Sequence, residues 1–253
     1  MKALLSTTYF GPVQWYQKLY RHEEVEIEQW ESFQKQTYRN RCLIATTQGI
    51  QALTVPVERR EGVRREGEKE NTIRDIRISD HGNWRHLHWN ALVSAYGESP
   101  FFEYYQDDIR PFFEKRWDYL FDFNEAIREK MCELLDIEAK VSYSREFTVY
   151  SLQFTDDYSA AEGLGAEGLA NISTVNRKLS TVNRKLSTVN RKLSTVNKIN
   201  DFREGINPKH PQPDPDFEPK PYYQVYQLKH GFLANLSVLD LLFNMGPESI
   251  FFL

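Results

Sequence analysis

The sequence predicts an α/β fold: a single domain with a mixed sheet, flanking helices and a low-complexity insertion of heptad repeats. Three observations lead there. An apolar strand pattern runs directly into a helix start near the N-terminus. Short alternating runs recur as far as residue 78, and helical periodicity then takes over to about residue 135. The domain is expected over residues 3–145 and 203–253, with the insertion at 160–200.

Ala3 to Thr7 reads as the first strand, followed by the turn Tyr9-Phe10-Gly11. Pro12 suits the first turn of a helix, where a missing N–H costs nothing, and Val13, Tyr16, Leu19 and Tyr20 continue a helical spacing. A strand feeding a helix N-terminus is a common ligand position, although no glycine-rich cradle accompanies this one. Val25 to Ile27 is a short strand, and Leu43–Ala45 and Ala52–Val57 form a hairpin around Thr46-Thr47-Gln48-Gly49. Residues 58–71, dense in Arg and Glu, read as a solvated loop, and Thr72–Ile78 reads as another strand.

Asp80 is the candidate N-cap of the next helix, with Trp84, Leu87, His88, Ala91, Leu92 and Ala95 on one broad face and Gly97 ending it. Helices are expected over 104–115 and 121–135, then a strand over 137–142. From Ser173 to Asn197 the motif Ser-Thr-Val-Asn-Arg-Lys-Leu repeats almost verbatim, with Val and Leu alternating at steps of four and three. That is heptad spacing, in residues that are mediocre helix formers. The repeats read as a neutral surface insertion or, alternatively, as a contact that makes a homodimer. Residues 206–221 contain six prolines and are expected to be extended. Tyr222–Gln227 is a candidate last strand, Phe232–Phe243 a last helix, and Ile250–Leu253 an apolar tail that docks on the core.

The net charge of −4 argues against a general nucleic-acid binder. The two cysteines, Cys42 and Cys132, lack metal spacing and read as small buried residues. No stretch has the length of a membrane span and no signal peptide is evident, so a cytoplasmic protein is expected. Walker A, G-x-G-x-x-G, H-E-x-x-H and G-x-S-x-G patterns are all absent, and no cofactor is indicated.

The densest chemical cluster is Trp84, His86, His88 and Trp89. Trp84 and His88 are one helical turn apart. His88 is either a hydrogen-bonded core histidine or a general base, which needs a near-neutral pKa and a group fixing its tautomer. Lys35, Arg39 and Arg41 precede an apolar strand and either clamp a phosphate or carboxylate or form the solvated rim of a turn. Lys229-His230 and Asp240 are further candidates, Asp240 with the alternative of a helix-capping or pairing role.

Five ordered blocks carry a resemblance. They are Thr8-Tyr9-Phe10-Gly11-Pro12; Lys35 to Arg41 with Leu53-Thr54-Val55-Pro56-Val57; Asn83-Trp84-Arg85-His86-Leu87-His88-Trp89 with Ala95-Tyr96; Pro100-Phe101-Phe102; and Leu236 to Asn244. In this order they resemble the WbqC-like family, whose members occur in O-antigen and other surface-polysaccharide gene clusters. Many relatives carry a His-Gln-Pro tripeptide where this chain has Ser6-Thr7-Thr8. The resemblance implies a transferase of surface-polysaccharide precursor synthesis, attaching a glycyl, other aminoacyl or acyl group to an amino sugar. Its partners would be a nucleotide-activated amino sugar and an activated acyl or aminoacyl donor. On that reading His88 is the base, Lys35, Asn40 and Arg41 hold the diphosphate or the oxyanion, and Tyr9, Trp84 and Tyr96 form the platform for the sugar or the nucleotide base. The alternative is a non-catalytic scaffold of a polysaccharide system, binding through aromatic surface.

Overall fold

A computed structural model describes residues 2–58, 72–144 and 199–253. The described residues up to 144 and from Asn200 onward belong to one compact unit, and the heptad repeats lie outside the described residues. The expected loop at 59–71 lies outside them too.

Strand β1 (Lys2–Ser6), helix α1 (Val13–Arg21) and strand β2 (Glu24–Glu28) open the chain as a β-α-β unit. β1 and β2 pair in parallel, Lys2 opposite Glu24 and Ser6 opposite Glu28. Strand β7 (Lys140–Tyr143) pairs in parallel with the other side of β2, and β8 (Ile199–Asp201) flanks β1. The order is therefore β7-β2-β1-β8, and parallel pairing along β7-β2-β1 replaces the mixed sheet that the sequence suggested. Ala3, Leu5, Val25 and Ile27 turn one face of this sheet into the core, as the two-residue period of a strand requires.

The rest of the fold packs beside this sheet. β3 (Arg41–Thr46) and β4 (Gly49–Thr54) form the predicted hairpin, Gly49 supplying the positive φ of 103° at its turn. Of the strand expected over 72–78 only β6 (Arg77–Ile78) remains, paired antiparallel with β5 (Val57–Glu58), because Ile73–Asp75 winds into a 3₁₀ turn held by Thr72 Oγ1 on Asp75. Helix α2 (Trp84–Tyr96) begins after Asn83 rather than at Asp80, whose carboxylate is taken by Arg85 and Arg116. The helix predicted over 104–115 is two, α3 (Phe102–Ile109) and α4 (Pro111–Glu114), because Pro111 has no N–H to continue the first. Helix α5 (Leu120–Leu134) is as expected.

The C-terminal arm departs furthest from the sequence reading. Residues 222–226 form no strand; α6 (Gln227–His230) is a single turn, and α7 (Val238–Met245) starts six residues later than predicted. Ser237 caps α7 by accepting from the Leu239 N–H, an alternative that propensity alone did not reveal. Val238 to Asn244 are all buried, so α7 is the central helix of the core. Residues 206–221 form no helix or strand, bend at 208–210 and turn at 215–216, and reach α1 where the buried Lys18 ammonium meets Asp214 at 2.7 Å. Leu253 is buried as expected of the tail, though Phe251 remains exposed.

Candidate active site

Because β1, β2 and β7 are parallel, their last residues share one edge of the sheet. The carboxyl edge of such sheets is the usual place for a ligand. Thr7 follows β1, Gln29 follows β2, and Tyr143 ends β7. All three turn toward α5, whose buried face carries Glu125 and Arg128 one turn apart.

These residues form one hydrogen-bonded group. The Thr7 hydroxyl donates to Glu125 Oε1 at 2.9 Å, while Oε2 accepts from Arg128 Nε at 2.7 Å and from the Tyr143 hydroxyl at 3.2 Å. Burial pushes the Glu125 carboxyl above the usual carboxylate range, and Arg128, Thr7 and Tyr143 pull it part of the way back. A carboxyl raised in this way holds a proton more tightly than a free one, which favours it as a general base.

Glu125 opens onto a pocket of about 400 Å³ lined by Gln29, Arg74, Phe121, Asp122, Ala126, Glu129 and Tyr143. The size suits a small ligand. Three carboxylates face it, Asp122, Glu125 and Glu129, against Arg74 at the rim. Arg128 is braced between Glu125 and Glu129, and Arg74 is drawn aside, bonded to Gln29 and lying over the Trp30 ring at 5.3 Å. The pocket is thus net negative, and suits a ligand that presents a cation.

A second polar group braces the opposite side of the same edge. Arg39 binds Glu31 through two bonds of 2.7 Å and reaches Ser6 Oγ at 2.8 Å. Glu28, fully buried, accepts from Ser144 Oγ at 2.7 Å and from the Trp30 N–H at 2.8 Å, with Arg203 3.7 Å from its other oxygen. The crevice between Ser6, Thr7, Thr8, Arg39 and Arg203 holds only about 10 Å³, room for roughly one water.

None of the seven sequence-predicted site residues lines the 400 Å³ pocket. Tyr9, Trp84 and His88 do converge, but inside the aromatic core. Tyr9 Oη lies 2.9 Å from His88 Nδ1, and the His88 ring also bonds the Thr54 backbone. A neutral imidazole flanked by a hydroxyl and a carbonyl accepts from Tyr9 and donates to Thr54, which leaves no nitrogen free. Burial pushes its pKa down to about 4. Asn40 is buried and donates from Nδ2 to the Val55 carbonyl at 2.9 Å, and Arg41 Nε binds Thr54 Oγ1 at 3.0 Å. Lys35 is exposed on the preceding turn. Tyr96 sits elsewhere, its hydroxyl accepting from the Ala45 N–H and facing the buried Asp240.

The sequence reading passed over Thr7, Glu125, Arg128 and Tyr143. One signal was available: Glu125 and Arg128 lie among Leu120, Phe121, Ile127 and Met131 on the apolar side of α5. A charged pair at buried positions is rare without a reason.

Comparison with known proteins points one way. The WbqC-like protein family matches residues 7–196. The Uncharacterized protein Rv1507c of Mycobacterium tuberculosis is 27% identical over 218 residues, covering 86% of this chain and 81% of its own. No solved structure matches.

Proposed function

This chain belongs to the WbqC-like protein family, a membership that fits a polysaccharide-associated role, and from that premise we propose an acyl or aminoacyl transferase whose acceptor is an amino sugar. The observation that carries the reading is the Glu125 carboxylate, buried and raised in pKa, at the wall of a net-negative pocket on the carboxyl edge of the sheet.

An amino sugar arrives as an ammonium ion, which the carboxylates of Asp122, Glu125 and Glu129 attract. Glu125 takes one proton and frees the nitrogen lone pair. The amine attacks the carbonyl carbon of an activated acyl donor, such as a thioester or ester. The C–N bond forms, the bond to the leaving group breaks, and a proton from the nitrogen goes to the departing sulfur or oxygen. Thr7 and Tyr143 hold the carboxylate in place through their hydroxyls. In this reading His88 positions Tyr9 and β4 rather than acting as the base.

The test incubates the protein with nucleotide-linked amino sugars, together with coenzyme A thioesters or aminoacyl donors, and reads product by mass spectrometry. Transfer is expected in the wild type and at least about 100-fold slower in Glu125→Gln, the typical loss for a missing general base, with the melting temperature kept. The wild-type rate should fall as pH drops through the raised Glu125 pKa, because only the carboxylate accepts a proton. Equal rates in wild type and variant would sink the assignment. Absence of turnover with every pair would favour the scaffold.

A further inference from the structure

A second cavity, of about 500 Å³, shares no lining residue with the Glu125 pocket. Thr46, Thr47 and Gln48 of the hairpin turn, Ile50, Gln51 and Ala52 of β4, Ala91, Ser94 and Ala95 of α2, and Tyr226 surround it. Successive residues of a strand point to opposite faces, so a cleft touched by three in a row runs along the strand's edge.

That edge carries free backbone groups. Leu43 O accepts from the Ser237 N–H, and the Ala45 N–H donates to Tyr96, so both point away from β4. Their partners Ala52 and Ile50 must then turn their own N–H and C=O groups outward, as non-hydrogen-bonded antiparallel pairs do. No backbone partner meets them among the described residues.

The lining carries no charge. Thr47, Gln48, Gln51 and Ser94 offer hydroxyls and amides, and the Tyr226 ring is tethered by its hydroxyl to Ser94 O at 3.3 Å. Lys229, the near cation, is bound to the Thr47 carbonyl at 2.6 Å. A phosphate or nucleotide would find no counter-charge in these walls, and a lipid would leave their polar groups unpaired. A peptide adding as a strand would find only Ile50 and Ala52, since the Thr54 carbonyl is taken by His88 and Gly49 already turns. That is short of the roughly 5 residues of a usual strand.

From this we infer that the cleft between β4 and α2 is a binding site for a neutral oligosaccharide. Sugar hydroxyls both donate and accept, as the amides, hydroxyls and edge peptide groups here require, and the C–H face of a sugar ring packs on an aromatic ring such as Tyr226.

Saturation-transfer NMR on the whole chain with neutral hexasaccharides (cello-, malto-, laminari- and chito-hexaose) tests it. At least one should receive transfer, and its affinity should fall by about tenfold or more, at least 1.4 kcal/mol, in Gln51→Ala and in Ser94→Arg. Both positions are exposed, so the fold is retained and a thermal melt verifies it. Glu125→Gln should bind like the wild type, which keeps this outcome separate from that of the transferase reading. Transfer to none of the four, or transfer unchanged in Ser94→Arg, overturns the inference.

Discussion

His88 and Asp240 are both buried and both titrate far from their ordinary values, in opposite senses. Burial holds His88 neutral down to about pH 4, whereas the unfolded chain takes that proton near about 6.5. Between these values the unfolded state binds more protons, so stability rises with pH and is lost as pH falls through 4. Asp240 accepts from the Tyr222 hydroxyl at 2.7 Å and from Gln224 Nε2 at 2.8 Å, with the Tyr96 hydroxyl facing it. Burial still pushes its pKa up to about 6. Between 3.8 and 6 the folded state now binds more protons, so stability falls as pH rises. The two slopes oppose each other between about pH 4 and 6. Urea midpoints from pH 4 to 8 separate them: His88→Asn should flatten the acid-side rise. Asp240→Asn, which still accepts from Tyr222 and Gln224, should gain on the order of 1–3 kcal/mol over wild type above pH 6. An unchanged pH profile in both variants would refute the argument. At this scale the sequence was only half legible. His88 satisfies the buried-histidine alternative, yet nothing in its neighbours revealed that Tyr9, 79 residues away, would hold it.

Among the elements, those whose information is local were legible. Alternation in β1 and β2, the hairpin turn at Gly49 and the period of α5 all settle within a few residues. The boundaries that failed depend on distant partners. Arg116 joins Arg85 in taking Asp80 away from capping α2, and Gln224 turns inward to Asp240 instead of joining a strand. The end of α7 shows the same dependence. Gly246 has φ 55°, and a Cβ there would stand 2.6 Å from the Phe101 ring. The adjacent Phe101 N–H donates to Phe243 O at 3.0 Å, so the ring has little freedom to retreat. Gly246→Ala combines left-handed backbone strain with overpacking and should cost about 2–4 kcal/mol, read as a drop in the urea midpoint. A loss under about 0.5 kcal/mol, the scale of an ordinary surface change, would show that the ring yields.

In the molecule as a whole, the candidate site was the least legible part, and the reason is topological. Thr7 and Glu125 are 118 residues apart, and Gln29 and Ser144 are 115 apart. Parallel strands bring their ends together only after long crossovers, so no window of sequence contains the site. The residues that stood out by local pattern, Tyr9, Trp84 and His88, stood out because they build the aromatic core. Ser6-Thr7 is where the chain meets Glu31, Arg39 and Glu125.

Cys42 on β3 and Cys132 on α5 are reporters placed in two different parts of the unit. Burial lifts both thiols out of their reactive range, Cys132 to about 11 and Cys42 higher still. The thiolate is the species that alkylates, so neither should react until its own surroundings open. Modification by iodoacetamide, followed residue by residue, therefore clocks the opening of the hairpin and of α5 separately. If the unit opens only as a whole, the two cysteines will report the same opening free energy. A faster Cys132 would mean that the helix carrying Glu125 lets go first, and that the proposed chemistry sits on the part of the molecule most ready to move.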